Sequence, residues 1–331
     1  MTNTSLPDYE KLIDEQTWAF IKLTDSWYPP NTIDFSLQRQ REIYNNMCQQ
    51  FHRGYPEGVT ACDANIATDE YAIPVRRYTC TSKLENALII YFHGGGFIVG
   101  SLDSHDDICA ELCKSTGFDV TAVDYRLAPE HLHPASFDDS LACVMHESNR
   151  ANLPVILCGD SAGGNLAAAV CHAIRDSDQH RNISIAGQVL IYPGLGGDTS
   201  KGSYITHANA PMLTTRDVNF YSTIRSGNKA DEQSKNSIAT HSPLQDTDFS
   251  NLPETVAFSA ACDPLADDSK HYVNLIQSAN GVATWINENG LVHGYLRARH
   301  TVDRARLSFA RIVDALLEIE TSVRTASIKP D

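Results

Sequence analysis

The segment Leu157–Gly164, which reads L-C-G-D-S-A-G-G, constrains the fold of this chain more than any other segment. It resembles the end of a short apolar strand, then a sharp turn that carries Ser161, then the start of an alanine-rich helix. Bulky side chains two positions before and after the serine would clash in so tight a turn, and Gly159 and Gly163 occupy those positions. The pattern predicts that the Ser161 hydroxyl is held out at the top of a sheet, beside the positive end of the helix.

Strand-like and helix-like runs alternate from about residue 60 onward. A hairpin is predicted at 62–68 and 71–79, and apolar strand-like runs follow at 87–92, 119–123, 155–158, 185–191, 255–260 and 283–287. Helical patterns lie between and after them, at 106–115, 136–148, 162–175, 267–279 and 302–320. Apolar strands separated by helices predict an α/β fold with a mostly parallel central sheet that helices cover on both faces. Functional residues of such sheets lie at the carboxyl ends of the strands.

The chain opens on two predicted helices that precede the alternation. Leu12, Gln16, Phe20 and Leu23 share one face of the first, and Leu37, Tyr44, Cys48 and Phe51 share one face of the second. A second interruption, at 194–253, contains one helix-like run at 215–224, and an insert of this length is usually functional. We therefore predict an N-terminal helical cap segment at 1–56 and a catalytic α/β domain at 57–331, in which 197–245 contributes a lid to the cap.

Composition excludes several classes of function. The net charge of −15 argues against nonspecific nucleic-acid binding, because phosphates would be repelled. The N-terminus lacks the pattern of a signal peptide, and no apolar run approaches the length of a membrane span. The nine cysteines include no C-x-x-C pair, and Cys109 and Cys113 lie one helical turn apart. We interpret the cysteines as reduced, mostly buried side chains of a cytoplasmic protein, with a disulfide or zinc role as the alternative.

Ser161 requires a base, because a serine hydroxyl is a weak nucleophile at neutral pH, and the base requires a carboxylate that fixes its tautomer. Asp263 follows one strand-like run and His293 follows the next, in the loop after the last strand. These residues follow the order serine, acid, histidine. Asp263 could instead cap the next helix, and Asp267 and Asp268 compete with it, but Asp263 lies closest to the strand end. His293 could instead be a solvated loop histidine, one of 13 in the chain.

The segment His93-Gly94-Gly95-Gly96-Phe97 follows the strand-like run at 87–92 directly. Acyl transfer develops negative charge on a carbonyl oxygen, which preorganised backbone N–H groups stabilise. We predict that the N–H groups of Gly94, Gly95, Gly96 and Ala162 form this oxyanion hole and that His93 braces the loop. The alternatives are a flexible glycine turn and a phosphate-binding loop, although the spacing and lysine of a P-loop are absent.

Four motifs together resemble the hormone-sensitive-lipase-like esterases, which are the family IV bacterial carboxylesterases of the α/β-hydrolase fold. They are the segments 93–97, 159–164, 263–265 and 293–295. The segment 124–130, D-Y-R-L-A-P-E, also resembles a loop of that family. The resemblance implies Ser161 as nucleophile, Asp263 as acid, His293 as base and a helical cap. It also implies a homodimer that pairs near the last strand and helix.

The resulting hypothesis is a serine carboxylesterase that hydrolyses short-chain acyl esters, with a small-molecule ester as its partner and no cofactor. Six cap residues are candidate walls of the acyl pocket, with ordinary packing as the alternative: Trp18, Phe20, Trp27, Tyr28, Phe35 and Met212. We interpret Arg126 and Glu130 as an ion pair that braces a loop. A metal at His131 and His133 is not expected, because no further ligand is placed to complete a site. The rival functions are amide hydrolysis, as in arylformamidase-like relatives, and noncatalytic ligand binding, as in plant gibberellin receptors, which lack the histidine.

Overall fold

A computed structural model describes residues 6–84, 86–178, 183–227 and 235–328, with the backbone alone for 235–237 and 326–328. One eight-stranded sheet runs through the described chain in the order β1-β2-β4-β3-β5-β6-β7-β8. The strands are β1 Val59–Ala67, β2 Ala72–Cys80, β3 Leu88–Phe92, β4 Asp119–Val123, β5 Val155–Asp160, β6 Ile185–Ile191, β7 Glu254–Cys262 and β8 Ala283–Val292. The helices are α1 Tyr9–Leu12, α2 Glu15–Trp27, α3 Leu37–Phe51, α4 Asp106–Thr116, α5 Ala135–Ala151, α6 Ala162–Asp176, α7 Ser203–Thr206, α8 Thr215–Ser226, α9 Lys235–His241, α10 Ala266–Ser278 and α11 Asp303–Ile328.

Two hydrophobic cores cover the two faces of the sheet. All five residues of β3 are buried, and they alternate between the cores because successive side chains of a strand point to opposite faces. Ile89 and Tyr91 belong to the core that includes α4 and α11, whereas Leu88, Ile90 and Phe92 belong to the core that includes α6 and α10. The predicted α/β fold with a mostly parallel sheet is confirmed. Strand β2 pairs antiparallel with β1 and with β4, and all the other neighbouring strands of the sheet pair parallel.

The predicted apolar face of the first helical segment is wrong. Leu12 and Leu23 are each 45% exposed. The chain breaks between α1 and α2, and Asp14 caps α2 by accepting a hydrogen bond from the Thr17 N–H. The buried side of α2 is therefore Thr17, Phe20, Ile21 and Thr24. The face predicted for the second helix agrees with α3, where Tyr44, Cys48 and Phe51 are buried.

The described residues of the insert after β6 form three α-helices, α7, α8 and α9, of which the sequence predicted α8 alone. It contacts the N-terminal helices at several points. The Tyr28 and Tyr221 hydroxyl oxygens lie 3.1 Å apart, and the Arg216 guanidinium donates to Asp34 at 2.6 Å. The two segments predicted as a cap are thus in contact with each other.

Two further expectations need correction. Strand β8 continues through Val292, five residues beyond the predicted strand, with a register shift opposite Ala260 and Cys262. Arg126 and Glu130 do not pair with each other. Arg126 pairs with buried Asp139 on α5, because that carboxylate also accepts the Arg126 backbone N–H, and Glu130 pairs with Arg41 on α3.

No helix within the described residues is long and apolar enough to cross a membrane. All nine cysteines carry free thiols, and Cys62 alone among them is exposed. Cys109 and Cys113 lie on α4, and both are buried in the core that this helix covers.

Candidate active site

Ser161 occupies the turn between β5 and α6, with φ 55° and ψ −115°. A positive φ is uncommon for a residue with a side chain, and the surrounding backbone holds it in place. The Ser161 N–H donates to the Ile191 carbonyl oxygen at 2.9 Å, at the end of the neighbouring strand. A Cβ on Gly163 would lie 1.9 Å from the Phe92 carbonyl oxygen, so α6 can approach the sheet this closely only with glycine there. The predicted strand–turn–helix is present.

Asp263 and His293 lie directly after β7 and β8, and the parallel strands bring both to the Ser161 edge of the sheet. His293 Nε2 lies 2.8 Å from Ser161 Oγ, and His293 Nδ1 lies 2.7 Å from Asp263 Oδ2. Asp263 is fully buried, and its other oxygen accepts the Leu265 N–H at 2.9 Å. The Tyr192 ring packs against the imidazole with centroids 4.9 Å apart. The structure therefore connects the three sequence-predicted residues in one chain of hydrogen bonds.

The two competing acids lie on α10 and bind the insert instead. Asp267 accepts the Ser203 N–H at 2.8 Å. Asp268 accepts the Leu195 N–H at 2.7 Å and the Tyr204 hydroxyl at 3.0 Å. Both carboxylates thus position the loop that follows β6.

The glycine-rich loop offers a different donor set from the predicted one. The Gly94 N–H donates to Asp160 Oδ1 at 2.9 Å, so it is committed within the protein and does not face a substrate oxygen. The N–H groups of Gly95, Gly96 and Ala162 have no acceptor among the described residues. A Cβ on Gly96 would lie 2.6 Å from the Tyr221 ring, which shows how closely the loop approaches the insert.

His93 lies beneath the loop and is 3% exposed. Its Nδ1 lies 2.8 Å from the Gly94 carbonyl oxygen, and its ring stacks on Tyr125 with centroids 4.2 Å apart. The Tyr125 hydroxyl donates to the His93 carbonyl oxygen at 2.7 Å. Burial, with a contribution from His105, lowers the pKa of His93 to about 3, so the ring is neutral near pH 7. These contacts are those of a packing residue.

Asp160 is a residue that sequence reasoning missed, although it directly precedes Ser161. Besides the Gly94 N–H, it accepts the Tyr91 hydroxyl at 2.8 Å, and His105 Nε2 lies 3.2 Å away. Burial opposes its charge, but His105 and Arg297 outweigh that effect and lower the pKa of Asp160 well below its ordinary value. The ionised carboxylate therefore joins the serine turn to the glycine-rich loop.

A cavity of about 310 Å³ opens above Ser161, between the sheet edge, α2, α3 and the insert. Of the six cap residues proposed as its walls, Tyr28 and Met212 line it. Phe20 is buried in the core instead, Trp18 packs against that core, and Trp27 and Phe35 are over 40% exposed. Trp18, Phe20 and Trp27 lie on α2, but their side chains point into the core or to solvent rather than into the cavity, and Phe35 lies in the loop after α2.

Over the described residues, no group of three or more histidine, cysteine or acidic side chains could hold a metal ion. His133, of the H-x-H pair, packs edge-on against His241 with ring centroids 4.9 Å apart. His133 therefore packs against the insert, to which His241 belongs.

The sheet order and the Ser161, His293 and Asp263 cluster define an α/β hydrolase with a serine at its active-site edge. A family model for the alpha/beta hydrolase fold matches residues 89–297. The chain is 34% identical to the carboxylesterase NlhH of Mycobacterium tuberculosis over 74% of this chain and 77% of that protein. It is 30% identical to an arylesterase of Saccharolobus solfataricus over 87% and 94%, respectively.

Solved structures agree with these relatives. An esterase of Pyrobaculum calidifontis superposes with a TM-score of 0.78 and 27% identity, covering 87% of this chain and 94% of that one. The chain belongs to the hormone-sensitive-lipase-like esterases of the α/β-hydrolase fold and is a carboxylic ester hydrolase.

Proposed function

We propose that this carboxylesterase hydrolyses short-chain acyl esters through Ser161, His293 and Asp263, with an acyl-enzyme intermediate. The observation that carries the proposal is the pair of contacts on His293, at 2.8 Å to Ser161 Oγ and 2.7 Å to Asp263 Oδ2. A nucleophile, a base and a carboxylate that orients the base are the three parts that serine hydrolysis requires.

In this mechanism Ser161 Oγ attacks the ester carbonyl carbon while His293 Nε2 takes the hydroxyl proton. Asp263, which is buried, holds the imidazole through Nδ1 and stabilises the positive charge that the ring acquires. When the tetrahedral intermediate collapses, His293 returns the proton to the leaving alcohol. Water then attacks the acyl-serine with the same base, which releases the acid and restores Ser161.

The developing oxyanion is held by the N–H groups of Gly95, Gly96 and Ala162. Their freedom from other acceptors among the described residues supports this donor set, and the Gly94 bond to Asp160 removes the fourth predicted donor. Asp160 contributes by fixing the loop relative to the serine turn, because preorganised donors need no rearrangement at the moment of reaction. His93 has the bracing role in this proposal.

The N-terminal segment 1–56 and the insert 197–245 act as the cap in this proposal, over a catalytic domain at 57–331. Contacts between Tyr28 and Tyr221 and between Arg216 and Asp34 support the assignment. The cavity of about 310 Å³ lies at the lower end of the range for small-molecule sites, which favours a short acyl chain.

Initial rates on p-nitrophenyl esters from acetate to palmitate test the proposal. We expect rates that peak at short chains and a loss of about 10⁶-fold in kcat for Ser161→Ala. Asp263→Asn is expected to cost about 10⁴-fold in kcat, whereas Asp267→Asn, four residues away, leaves the hydrogen bonds of His293 in place. Equal rates in the wild type and Ser161→Ala would refute the serine mechanism. Equal losses in the two aspartate variants would refute the role of Asp263.

The proposal also places the protein in the cytoplasm. Its support is that the nine cysteines all carry free thiols, eight of them buried, as expected in a reducing compartment. Cell fractionation with antibody detection tests it, and enrichment in an exported fraction would contradict it.

We further propose a homodimer that pairs through the last strand and helix. Strand β8 ends the sheet and pairs with β7 alone among the described strands, so no described strand covers its other edge. Light scattering on the purified protein should give twice the chain mass of 36.4 kDa. A mass equal to one chain would refute pairing.

A further inference from the structure

Arg225 is a buried cation in the wall of the Ser161 cavity. It lies at the end of α8, is 3% exposed and lines the cavity together with Asn165 and His241. No carboxylate pairs with it among the described residues. Buried arginines are normally paired, because removing an unpaired charge from water is costly.

The contacts of Arg225 leave one edge of its guanidinium free. Nη1 donates to Asn165 Oδ1 at 3.3 Å and to the His241 carbonyl oxygen at 3.0 Å. Nε and Nη2, which are buried, have no acceptor within the part of the chain that the structure describes. These two nitrogens form the side of the guanidinium that binds a carboxylate through two parallel hydrogen bonds. The guanidinium carbon lies 3.5 Å from the centroid of the Phe97 ring, and this stacking holds the plane of the guanidinium.

The charge of Arg225 is not neutralised locally. Burial lowers its pKa to about 9, so it remains protonated near pH 7. Burial and the positive charge of Arg225 lower the pKa of His133 and of His241 to about 3, so both rings are neutral. By contrast Arg297, the other buried arginine of the cavity, interacts with ionised Asp160. The Arg225 end of the cavity therefore carries a net positive charge.

Arg225 contacts the helix that begins directly after Ser161. Its partner Asn165 follows Ser161 by four residues on α6, which corresponds to an axial rise of about 6 Å. Arg225 therefore contacts α6 about one helical turn after Ser161.

We propose that Arg225 binds a carboxylate of the substrate, so the preferred esters carry an anion a few atoms from the scissile carbonyl. The inference rests on the proposed function and identifies its substrate class. Monoesters of short dicarboxylic acids present the anion on the acyl side, and acyl esters of short hydroxy acids present it on the alcohol side. The alternative is that Arg225 braces Phe97 and the insert without touching substrate.

Matched substrates separate these cases, with acid release measured by titration at constant pH. The acyl-side pair is monoethyl succinate and ethyl 4-methylpentanoate, in which an isopropyl group replaces the carboxylate. The alcohol-side pair is O-butyryl glycolate and isobutyl butyrate. We expect the wild type to favour the anion at least about 10-fold in kcat/KM in one pair, as for a charge-assisted hydrogen bond, and that pair identifies the side.

Arg225→Met is expected to abolish the preference for the charged ester over its neutral partner, and Arg225→Lys should restore part of it. A wild type without preference in both pairs would overturn the inference. Equal losses on charged and neutral esters in Arg225→Met, with an unchanged melting temperature, would indicate the bracing role instead and would also overturn it.

Calorimetry with succinate on Ser161→Ala provides a readout that needs no turnover. Binding that disappears in the double variant with Arg225→Met supports the anion site even if the serine mechanism fails. No binding to Ser161→Ala contradicts the anion site even if neutral esters are hydrolysed.

Discussion

Asp268→Asn is expected to make the stability of this esterase less dependent on pH. The Asp268 side chain is 1% exposed, and one of its oxygens accepts the Leu195 N–H and the Tyr204 hydroxyl. Its other oxygen has no hydrogen-bond partner among the residues that the structure describes. Burial therefore raises the pKa of Asp268 to about 7 in spite of these hydrogen bonds, and the charge of Asp263 adds to the shift.

The size of this pH effect on stability follows from the difference between the pKa of Asp268 in the folded protein and its pKa in the unfolded chain. The ordinary pKa of this carboxyl is 3.8, so the unfolded chain releases the proton at a lower pH than the folded protein does. Unfolding is then increasingly favoured as the pH rises from about 4 to about 7, and the penalty is complete above pH 7. A difference of about three pKa units corresponds to about 4 kcal/mol, of which about 3 kcal/mol develops between pH 5 and pH 8.

Urea unfolding of the wild type and Asp268→Asn from pH 5 to pH 8 measures this effect. The amide oxygen can keep the acceptor role, and the amide does not ionise. We expect the free energy of unfolding of the variant, relative to the wild type, to rise by about 3 kcal/mol over this range. Asp69→Asn, in an exposed turn, controls for the loss of one negative charge. A difference between Asp268→Asn and the wild type that stays constant with pH would refute the reasoning.

Three other outcomes follow from contacts described above. Gly163→Ala, whose added Cβ would lie 1.9 Å from a carbonyl oxygen, should lower the melting temperature sharply or prevent folding, and an unchanged melting curve would contradict that contact. Arg126→Leu leaves Asp139 as an uncompensated buried charge and should lower the free energy of unfolding, measured in urea, by about 3–5 kcal/mol. Glu130→Gln, at the exposed pair with Arg41, should lower it by under about 1 kcal/mol. Equal losses in the two variants would contradict the assigned pairs. A thiol reagent should label Cys62 alone in the native protein and all nine cysteines after denaturation; labelling of several native thiols would disagree with their burial.

The sheet and the serine turn were predictable because their signals are local. Each buried strand needs a continuous apolar run, and the turn at Ser161 needs glycine on both sides. Asp263 and His293 were predicted for a related reason, since residues that follow parallel strands meet at one edge. Position relative to a strand end was therefore more informative than residue type.

Other features depend on partners that are distant in sequence. The pairing of Arg126 with Asp139, rather than with Glu130, depends on how α5 packs against the preceding loop. The commitment of the Gly94 N–H depends on Asp160, 66 residues later. The inward stripe of α2 was mispredicted because the break at Asp14 changed where the helix begins. Periodicity alone contains none of this information.

The meeting of Tyr28 and Tyr221 shows that the roof over Ser161 is assembled from segments 193 residues apart. Neither segment contributes a strand to the sheet that carries the serine, the histidine and the acid. The proposed triad and the roof of the cavity are thus encoded in separate stretches of the chain. Under the proposed mechanism, we expect exchange of the roof segments between homologous enzymes to alter selectivity while the three proposed catalytic residues stay in place.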